Sequence, residues 1–153
     1  MTSKLVDFAN LLFAALVAGA LFGIWLSFNP EGLAAGPYIA QQQHGIRTLN
    51  VTMPLFGGVT ILLTIAAALL ARSDRTRLTL LVSAAACFVV SGLITRFLNQ
   101  PINAIVMTWS PDAPPGDWMR LRDDWWRWHV LRTAVGIGGL CLVILAALRR
   151  PRS

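Results

Sequence analysis

The sequence predicts an all-α integral membrane protein, a four-helix bundle that forms one domain over residues 1–153. The first indication is composition, because 56% of the residues are hydrophobic and only 13% are charged, whereas soluble domains carry about 25% charged residues. The second is that the apolar residues form four blocks of about twenty, the length of a helix that crosses a bilayer. We therefore predict membrane spans at roughly residues 8–28, 50–71, 78–98 and 128–148.

The first span follows a short polar N-terminus. A secretory signal peptide would have a shorter apolar core, of about 7–15 residues, so an uncleaved helix is favoured. Ala15, Gly19 and Gly23 lie four residues apart on one face of this helix. Small residues at this spacing let membrane helices approach closely. The Gly19/Gly23 face is therefore predicted to pack against another helix, either within the chain or in a homo-oligomer.

The second span is preceded by a polar segment, residues 38–52. Because this segment contains no proline and runs directly into the apolar block, we predict a helical extension that is continuous with the span and kinked near Pro54. One face of the extension carries polar side chains, namely Gln43, Arg47 and Asn50, with His44 alongside. Two interpretations stay open here: a solvated amphipathic helix mouth, or one wall of a binding site.

The third and fourth spans are joined by residues 104–127, a tryptophan-rich segment with three prolines. The prolines favour an ordered loop, which we predict to act as a lid. Within it, residues 117–126 are predicted to form a short helix on the membrane surface. The fourth span then begins at about residue 128.

The distribution of positive charge predicts the orientation of the bundle. Four spans place both termini on one side of the membrane, together with the charged hairpin at residues 72–77. That side holds seven of the 13 Lys and Arg residues against two acids, and the other side holds six arginines against five acids. Since Lys and Arg are enriched in cytoplasmic segments, both termini are predicted to be cytoplasmic, in a bacterial inner membrane. The polar helix mouth and the Trp-rich loop then face the extracytoplasmic side.

Several classes of function are disfavoured. The net charge of +6 is not accompanied by the basic helix or aromatic–basic strand of a nucleic-acid-binding protein, so the expected surroundings are lipid and not nucleic acid. Cys87 and Cys141 lie far apart inside apolar blocks, without a C-x-x-C motif, and are expected to be buried, inert thiols. No nucleophile elbow supports a Ser/His/Asp hydrolase.

Two polar stripes converge at the predicted extracytoplasmic ends of the spans. The third helix carries Arg96, Asn99 and Asn103, and the fourth carries Trp125, Trp128, His129 and Arg132. Polar groups at membrane depth normally face a bundle interior or a water-filled cavity, because an unsatisfied group in hydrocarbon costs several kcal/mol. Together with the wall from the second helix, they predict a pocket for a flat, partly polar, lipophilic molecule.

Each residue type also has a simpler explanation. Tryptophans at a membrane boundary commonly act as interfacial anchors, and an arginine such as Arg132 can extend its charge to the interface. Asn99 and Asn103 can join helices by hydrogen bonds alone. A metal site would need both histidines, His44 and His129, and a carboxylate such as Asp123 or Asp124. We do not expect the two histidines to approach one ion.

The segments RFLNQPIN and WWRWHVLR, some twenty residues apart, resemble those of the anthrone oxygenase-like family of small four-helix membrane proteins. The likeness extends over nearly the whole chain, including the Gly-rich first helix and the Met53-Pro54 pair. The resemblance implies the four-helix fold. It also implies the reaction of the better-known fungal members, which oxidise anthrones to anthraquinones with molecular oxygen, without a metal or flavin cofactor.

Roles can be matched to such a reaction. His129 is the expected base, because an imidazole titrates near neutral pH. Arg132 and Arg96 are expected to stabilise the enolate oxyanion, with Asn99 and Asn103 as orienting groups. The expected substrate contacts are Trp125, Trp128, Trp109, His44, Arg47 and Asn50. Two alternatives remain: a non-enzymatic membrane module that binds lipid or a protein partner, and a metal-dependent variant that uses His44 and His129.

Overall fold

The computed structural model describes residues 2–149, which are almost entirely helical. The helices are α1 (Thr2–Ser27), α2 (Ala35–Leu49), α3 (Thr52–Leu70), α4 (Arg75–Val106) and α5 (Trp118–Leu148). Within this described part the extended structure is limited to one isolated bridge between Ser110 and Ala113. The all-α prediction is therefore confirmed. Two arginines counted in the charge distribution, Arg150 and Arg152, lie outside the described residues.

Four of these helices are long and apolar enough to cross a membrane: Ser3–Ser27 of α1, all of α3, all of α4 and all of α5. Their outward faces carry large apolar side chains, such as Leu26, Leu62 and Leu148, which are about 70% exposed. In water such a surface would be unfavourable, whereas in a bilayer it contacts lipid. The chain is an integral membrane protein, as the four apolar blocks predict.

The four spans form a ring in which α1 packs against α3 and α5, and α4 also packs against α3 and α5. Three apolar layers follow one another along the bundle. The first centres on Ala68 and Leu81, and the second on Ala14 and Phe88 with Ile61 packed against it. The third centres on Val106 and Trp125, at the ends of α4 and α5. Asn10 and Thr64 form a buried hydrogen bond at 2.7 Å between the first and second layers. Most other buried polar groups lie between the second and third layers and beneath α2.

The predicted continuous helix from residue 38 into the second span is wrong in one respect. The chain turns at Asn50 and Val51, so α2 and α3 are separate helices. Pro54 lies in the first turn of α3, where its missing N–H has no helical partner in any case and so breaks nothing. The break lets α2 pack against the end of α4 instead of continuing the axis of α3.

The third span is longer than predicted and contains a π-helical turn at Thr95–Asn99. The N–H of Gln100 bonds to the carbonyl of Thr95, five residues back. Pro101 follows directly and cannot donate to a helical carbonyl, and the extra residue of the π turn accommodates this interruption without ending the helix. The turn also changes which side chains of α4 face the bundle.

The predicted surface helix at residues 117–126 and the fourth span are one continuous helix of 31 residues, α5. Its length is about 46 Å, which exceeds the ~30 Å hydrocarbon thickness. The first turns of α5 therefore extend beyond the hydrocarbon. They carry local ion pairs, such as Arg120–Asp117 at 2.9 Å and Arg127–Asp124 at 2.6 Å.

The opposite end of the bundle is closed by the tight turn between α3 and α4. Asp74 caps α4 by accepting a hydrogen bond from the Arg77 N–H at 3.1 Å. This bond holds the pKa of the Asp74 carboxyl below its usual range. Arg77 also pairs with Asp7 of α1 at 2.6 Å, which ties the first helix to the turn.

Two predictions about small side chains have different outcomes. Cys87 is half-buried but Cys141 is exposed on the bundle surface, so the expectation of two buried thiols is wrong for Cys141. Gly19 and Gly23 face open space, with no atom within 4 Å of a Cβ built on either. They do not pack within the chain, and a homo-oligomer through this face stays a prediction.

A glycine pair on α5 tests the packing of α4 against α5. A Cβ at Gly139 would lie 3.0 Å from the Phe88 ring and 3.2 Å from Cys87 Cβ, whereas a Cβ at the neighbouring Gly138 meets nothing within 4 Å. We predict that Gly139→Val destabilises the bundle by about 1–3 kcal/mol, the typical effect of overpacking. Gly138→Val is the matched control. Thermal unfolding in detergent, followed by tryptophan fluorescence, measures both, and equal stabilities would contradict the packing described.

Candidate functional site

A cavity of about 760 Å³ lies among α1, α2, α3 and α4, with Trp125 and Arg132 of α5 at its edge. Its volume is in the upper half of the range of ~300–1,000 Å³ typical of small-molecule sites. The roof comes from α2, including Gln42, His44 and Ile46. The lower end reaches Ile61 and Phe88, which belong to the second apolar layer.

The cavity has a polar end below α2. Its charged or hydrogen-bonding side chains are Ser27, Gln41, Gln42, His44, Asn50, Ser91, Thr95, Arg96, Gln100, Asn103 and Arg132. No Asp or Glu among the residues described by the structure lines it. The described lining therefore holds two arginines and no carboxylate. Of the two, Arg96 is exposed, and its guanidinium carbon lies 6.0 Å from the ring centre of the exposed Phe97. Such a site favours an anionic or strongly hydrogen-bond-accepting ligand.

Arg132 is held in a fixed position. Its Nε and Nη2 donate to His129 Nδ1 at 3.1 and 2.9 Å, and its Nη1 donates to Thr95 Oγ1 at 3.1 Å. The guanidinium carbon also lies 5.8 Å from the centre of the Trp125 ring. A guanidinium has five N–H groups, so one N–H on each terminal nitrogen is left for a ligand. Within residues 2–149 no carboxylate forms an ion pair with Arg132.

His129 does not line the cavity and is fully buried. Its ring stacks between Trp125 and Trp126, with ring centres 5.2 and 5.5 Å away. Because Nδ1 faces two N–H donors of Arg132, the proton of the neutral imidazole is on Nε2, 3.4 Å from Thr133 Oγ1. This geometry does not suit the predicted role of substrate base. It suits a residue that positions Arg132.

Asn103 and Trp125 form the side of the polar end. Asn103 Oδ1 accepts hydrogen bonds from Trp125 Nε1 at 2.8 Å and from Gln42 Nε2 at 3.2 Å. The first bond fixes the indole of Trp125 and the second fixes Asn103. The Trp125 side chain is 6% exposed and also contacts the Phe28 ring edge-on. The predicted aromatic wall is thus made by Trp125, one face of which lies against His129.

Asn99 is fully buried and lies outside the cavity lining. Its Nδ2 donates to the carbonyl of Trp125 at 3.0 Å, across the contact between α4 and α5. Its Oδ1 has no hydrogen-bond partner within the described chain. Of the two roles considered for this residue, the geometry supports helix joining.

Two glutamines hold the roof: Gln43, which the sequence placed on the polar face of the extension, and Gln42, which it did not indicate. Gln42 bonds to Asn103, as above, and Gln43 Nε2 donates to the carbonyls of Val106 and Trp109 at 3.0 and 2.9 Å. The Val106 carbonyl is the last of α4 and also accepts from the Trp109 N–H at 3.1 Å, whereas the Trp109 carbonyl lies three residues beyond the helix. A third contact runs from Gln100 Nε2 to Asn50 Oδ1 at 2.7 Å. Adjacent glutamines in an amphipathic helix give no sequence signal that separates anchors from solvated residues.

The predicted site residues divide into two groups. Six line the cavity: His44, Asn50, Arg96, Asn103, Trp125 and Arg132. The other five do not: Arg47, Asn99, Trp109, Trp128 and His129. Arg47 is exposed on the outer face of α2. Trp109 and Trp128 pack against the third apolar layer. The convergence of three helix ends was predicted, but not which side chains point inward.

The carboxylates near this end are engaged elsewhere. Asp123 pairs with Arg122 at 2.7 Å and Asp124 with Arg127 at 2.6 Å, both on the exposed start of α5. Within residues 2–149, no group of three or more His, Cys, Asp or Glu side chains is arranged for a metal ion. His44 lines the cavity, whereas His129 lies behind Arg132. The donor set for a two-histidine metal site is therefore not brought together.

Comparison with known families gives a match to the model described as anthrone oxygenase, over residues 43–142. The matched region is more than half of the chain and contains α3, α4 and most of α5. It also contains Arg96, Asn103, Trp125 and Arg132. No curated protein and no solved structure matches the chain significantly.

Tyr38, at the start of α2, offers a direct probe of the roof. It is fully buried beside Trp118, its hydroxyl has no hydrogen-bond partner in the described chain, and burial raises its pKa. Because it is the single tyrosine of the chain, ultraviolet absorbance reports its ionisation alone. We predict titration well above the ordinary value of about 10 in the folded protein and near that value after unfolding.

The burial of Tyr38 also makes the stability of the fold depend on pH. Above the ordinary pKa the unfolded state loses the phenol proton while the folded state keeps it, so stability falls as pH rises in that range. Ionisation of Tyr38 at its ordinary pKa in the folded protein would show that the start of α2 is not packed as described.

Proposed function

Since this chain belongs to the anthrone oxygenase family, we propose that it is a membrane-embedded oxygenase that binds a flat phenolic or anthrone-like molecule in the cavity below α2. The substrate is held there as an oxyanion. The observation that supports the proposal most strongly is the charge of the cavity. Arg96 and Arg132 line it, Trp125 forms a side wall, and no Asp or Glu of the described residues balances them there.

The chemistry of the family's namesake reaction is balanced without an external reductant. An anthrone CH₂ and one O₂ give a ketone C=O and one H₂O. Oxidation of the methylene to the carbonyl releases four electrons, and reduction of the two oxygen atoms consumes four. The protein must therefore remove a proton, stabilise the resulting enolate and admit oxygen, which dissolves readily in hydrocarbon.

Enolate stabilisation is the role proposed for Arg132. Its two remaining N–H groups, one on each terminal nitrogen, are directed by the bonds to His129 and Thr95. Donors fixed before the reaction stabilise developing charge effectively, because they need not reorganise as the charge forms. The attraction between the Arg132 guanidinium and the enolate oxygen is stronger at membrane depth than in water, because the dielectric constant is lower there.

Proton removal is proposed for His44. It is the one imidazole in the cavity lining, and no carboxylate of the described residues lines the cavity. Imidazole is a general base suited to neutral pH. His129 then acts as a positioning residue for Arg132, and Asn103 positions Trp125 for stacking on the rings of the substrate. This assignment replaces the role of base that the sequence suggested for His129.

The orientation of the site is also part of the proposal. Lys and Arg are concentrated at the end of the bundle that carries Lys4, Arg72 and Arg75. By the positive-inside rule this end is cytoplasmic. The polar end of the cavity would then open towards the extracytoplasmic half of a bacterial inner membrane, where a lipophilic substrate can reach it from the bilayer.

Arg132→Gln tests the oxyanion role. The substitution keeps the size and some hydrogen bonding but removes the charge, so we predict that the turnover number falls by roughly 10²–10³, as for loss of one oxyanion donor. Oxygen uptake with emodin anthrone in detergent measures it. Arg127→Gln is the control, because Arg127 is exposed and pairs with Asp124 on the surface. An Arg132→Gln protein with native turnover would refute the role.

His44→Gln tests the base. We predict a loss of about 10²–10⁴ in turnover, the usual contribution of general base catalysis, with little change in affinity for an unreactive anthraquinone. Arg47→Gln is the matched control on the same helix, because Arg47 is exposed and does not line the cavity. The assignment fails if the His44→Gln and Arg47→Gln proteins turn over at the same rate.

A further inference from the structure

We infer that the cavity takes an aromatic oxyanion that carries a hydrocarbon tail, and that the tail occupies the lower half of the cavity between α1, α3 and α4. The inference rests on the proposed function for the aromatic head. It goes beyond it by assigning the apolar part of the cavity to a second portion of the ligand.

The depth of the cavity supports this inference. On α4, Arg96 and Phe88 both line the cavity and are eight residues apart, which is about 12 Å along a helix. On α1, Ser27 and Val17 both line it and are ten residues apart, about 15 Å. The cavity therefore extends from the level of the arginines to the middle of the spans. A flat head stacked on Trp125 fills only its upper end.

The lining changes character with depth. Below Arg96 the lining side chains are mostly apolar, chiefly Val17, Leu21, Ile61 and Phe88. The hydroxyl of Ser91, also in the lining, donates to the Arg132 carbonyl at 3.1 Å. One wall has no side chains over two successive positions, Gly57 and Gly58 of α3, and a Cβ at either would meet nothing within 4 Å. Such a lining accepts a hydrocarbon chain and offers no partner to a second polar group.

Charge selects the chemistry of the ligand head. The upper end presents Arg96 and Arg132 without a carboxylate in the described lining, and Asn103 and Gln42 complete its polar surface. An uncharged hydrocarbon would leave the two remaining N–H groups of Arg132 unpaired, which is unfavourable at membrane depth. A molecule with an aromatic oxyanion at one end and a tail at the other matches both ends of the cavity.

The test compares two phenols that differ in the tail alone, 4-methyl-2-nitrophenol and 4-decyl-2-nitrophenol, at a pH where both are ionised. Binding to protein in nanodiscs is measured by native mass spectrometry, with ligand expressed as its mole fraction in the lipid. Because hydrocarbon gains little on moving from lipid to an apolar cavity, the tail itself is not expected to raise affinity. The informative result is whether a variant with a narrowed cavity loses affinity for the decyl compound alone.

Gly57→Leu fills the lower half beside Ile61, and leucine is a better helix former than glycine. We expect this variant to bind the methyl compound like the native protein and the decyl compound at least about tenfold more weakly, as overpacking predicts. Gly58→Leu provides an independent second block. Gly138→Leu is the matched control, because Gly138 faces open space outside the cavity and should leave both affinities unchanged.

Three results would overturn the inference: native affinity of the blocked variants for the decyl compound, an equal loss for both compounds, or a retained phospholipid that the decyl compound does not displace. Oxygen uptake with emodin anthrone, which lacks a long tail, separates this inference from the proposed function. Absence of turnover in the native protein counts against the oxygenase, while the binding comparison still decides whether a tail is accommodated.

Discussion

The guanidinium of Arg132 is the group on which the rest of this site depends. It lies within a membrane-spanning helix and has no carboxylate partner among residues 2–149. A charge at membrane depth is expensive unless it faces a polar cavity or a ligand. Here three of its N–H groups are satisfied by His129 and Thr95, and the Trp125 ring lies against it. In the proposed function, the remaining two are the donors to the bound oxyanion.

Other features of the fold serve this arrangement. The π turn places Thr95 beside Arg132 and Asn99 against the backbone of α5. The break at Asn50 allows α2 to cover the cavity, and Gln43 fastens it to the end of α4. Both are departures from regular helix, and both occur at the polar end. The apolar layers at the other end are regular and provide a scaffold.

The sequence was sufficient for the four spans, because blocks of about twenty apolar residues have few alternatives in a bilayer. It also predicted that polar helix ends converge at one level of the bundle, but not which of their side chains line the cavity. It did not predict the role of His129 or the anchoring by Gln42 and Gln43. Those depend on the π turn and on the break between α2 and α3, which rotate whole segments. Such long-range adjustments follow from packing and leave little trace in local periodicity.

We propose above all that the cavity recognises negative charge on an aromatic oxygen. The most direct measurement compares the affinity of the native protein for ionised 2-nitrophenol with that for 2-nitroanisole, which has the same ring but a methylated, uncharged oxygen. A charge-assisted bond to arginine contributes about 1.5–3 kcal/mol, so we expect the phenolate to bind roughly 10–150-fold more tightly. Equal affinities for the two molecules would contradict it.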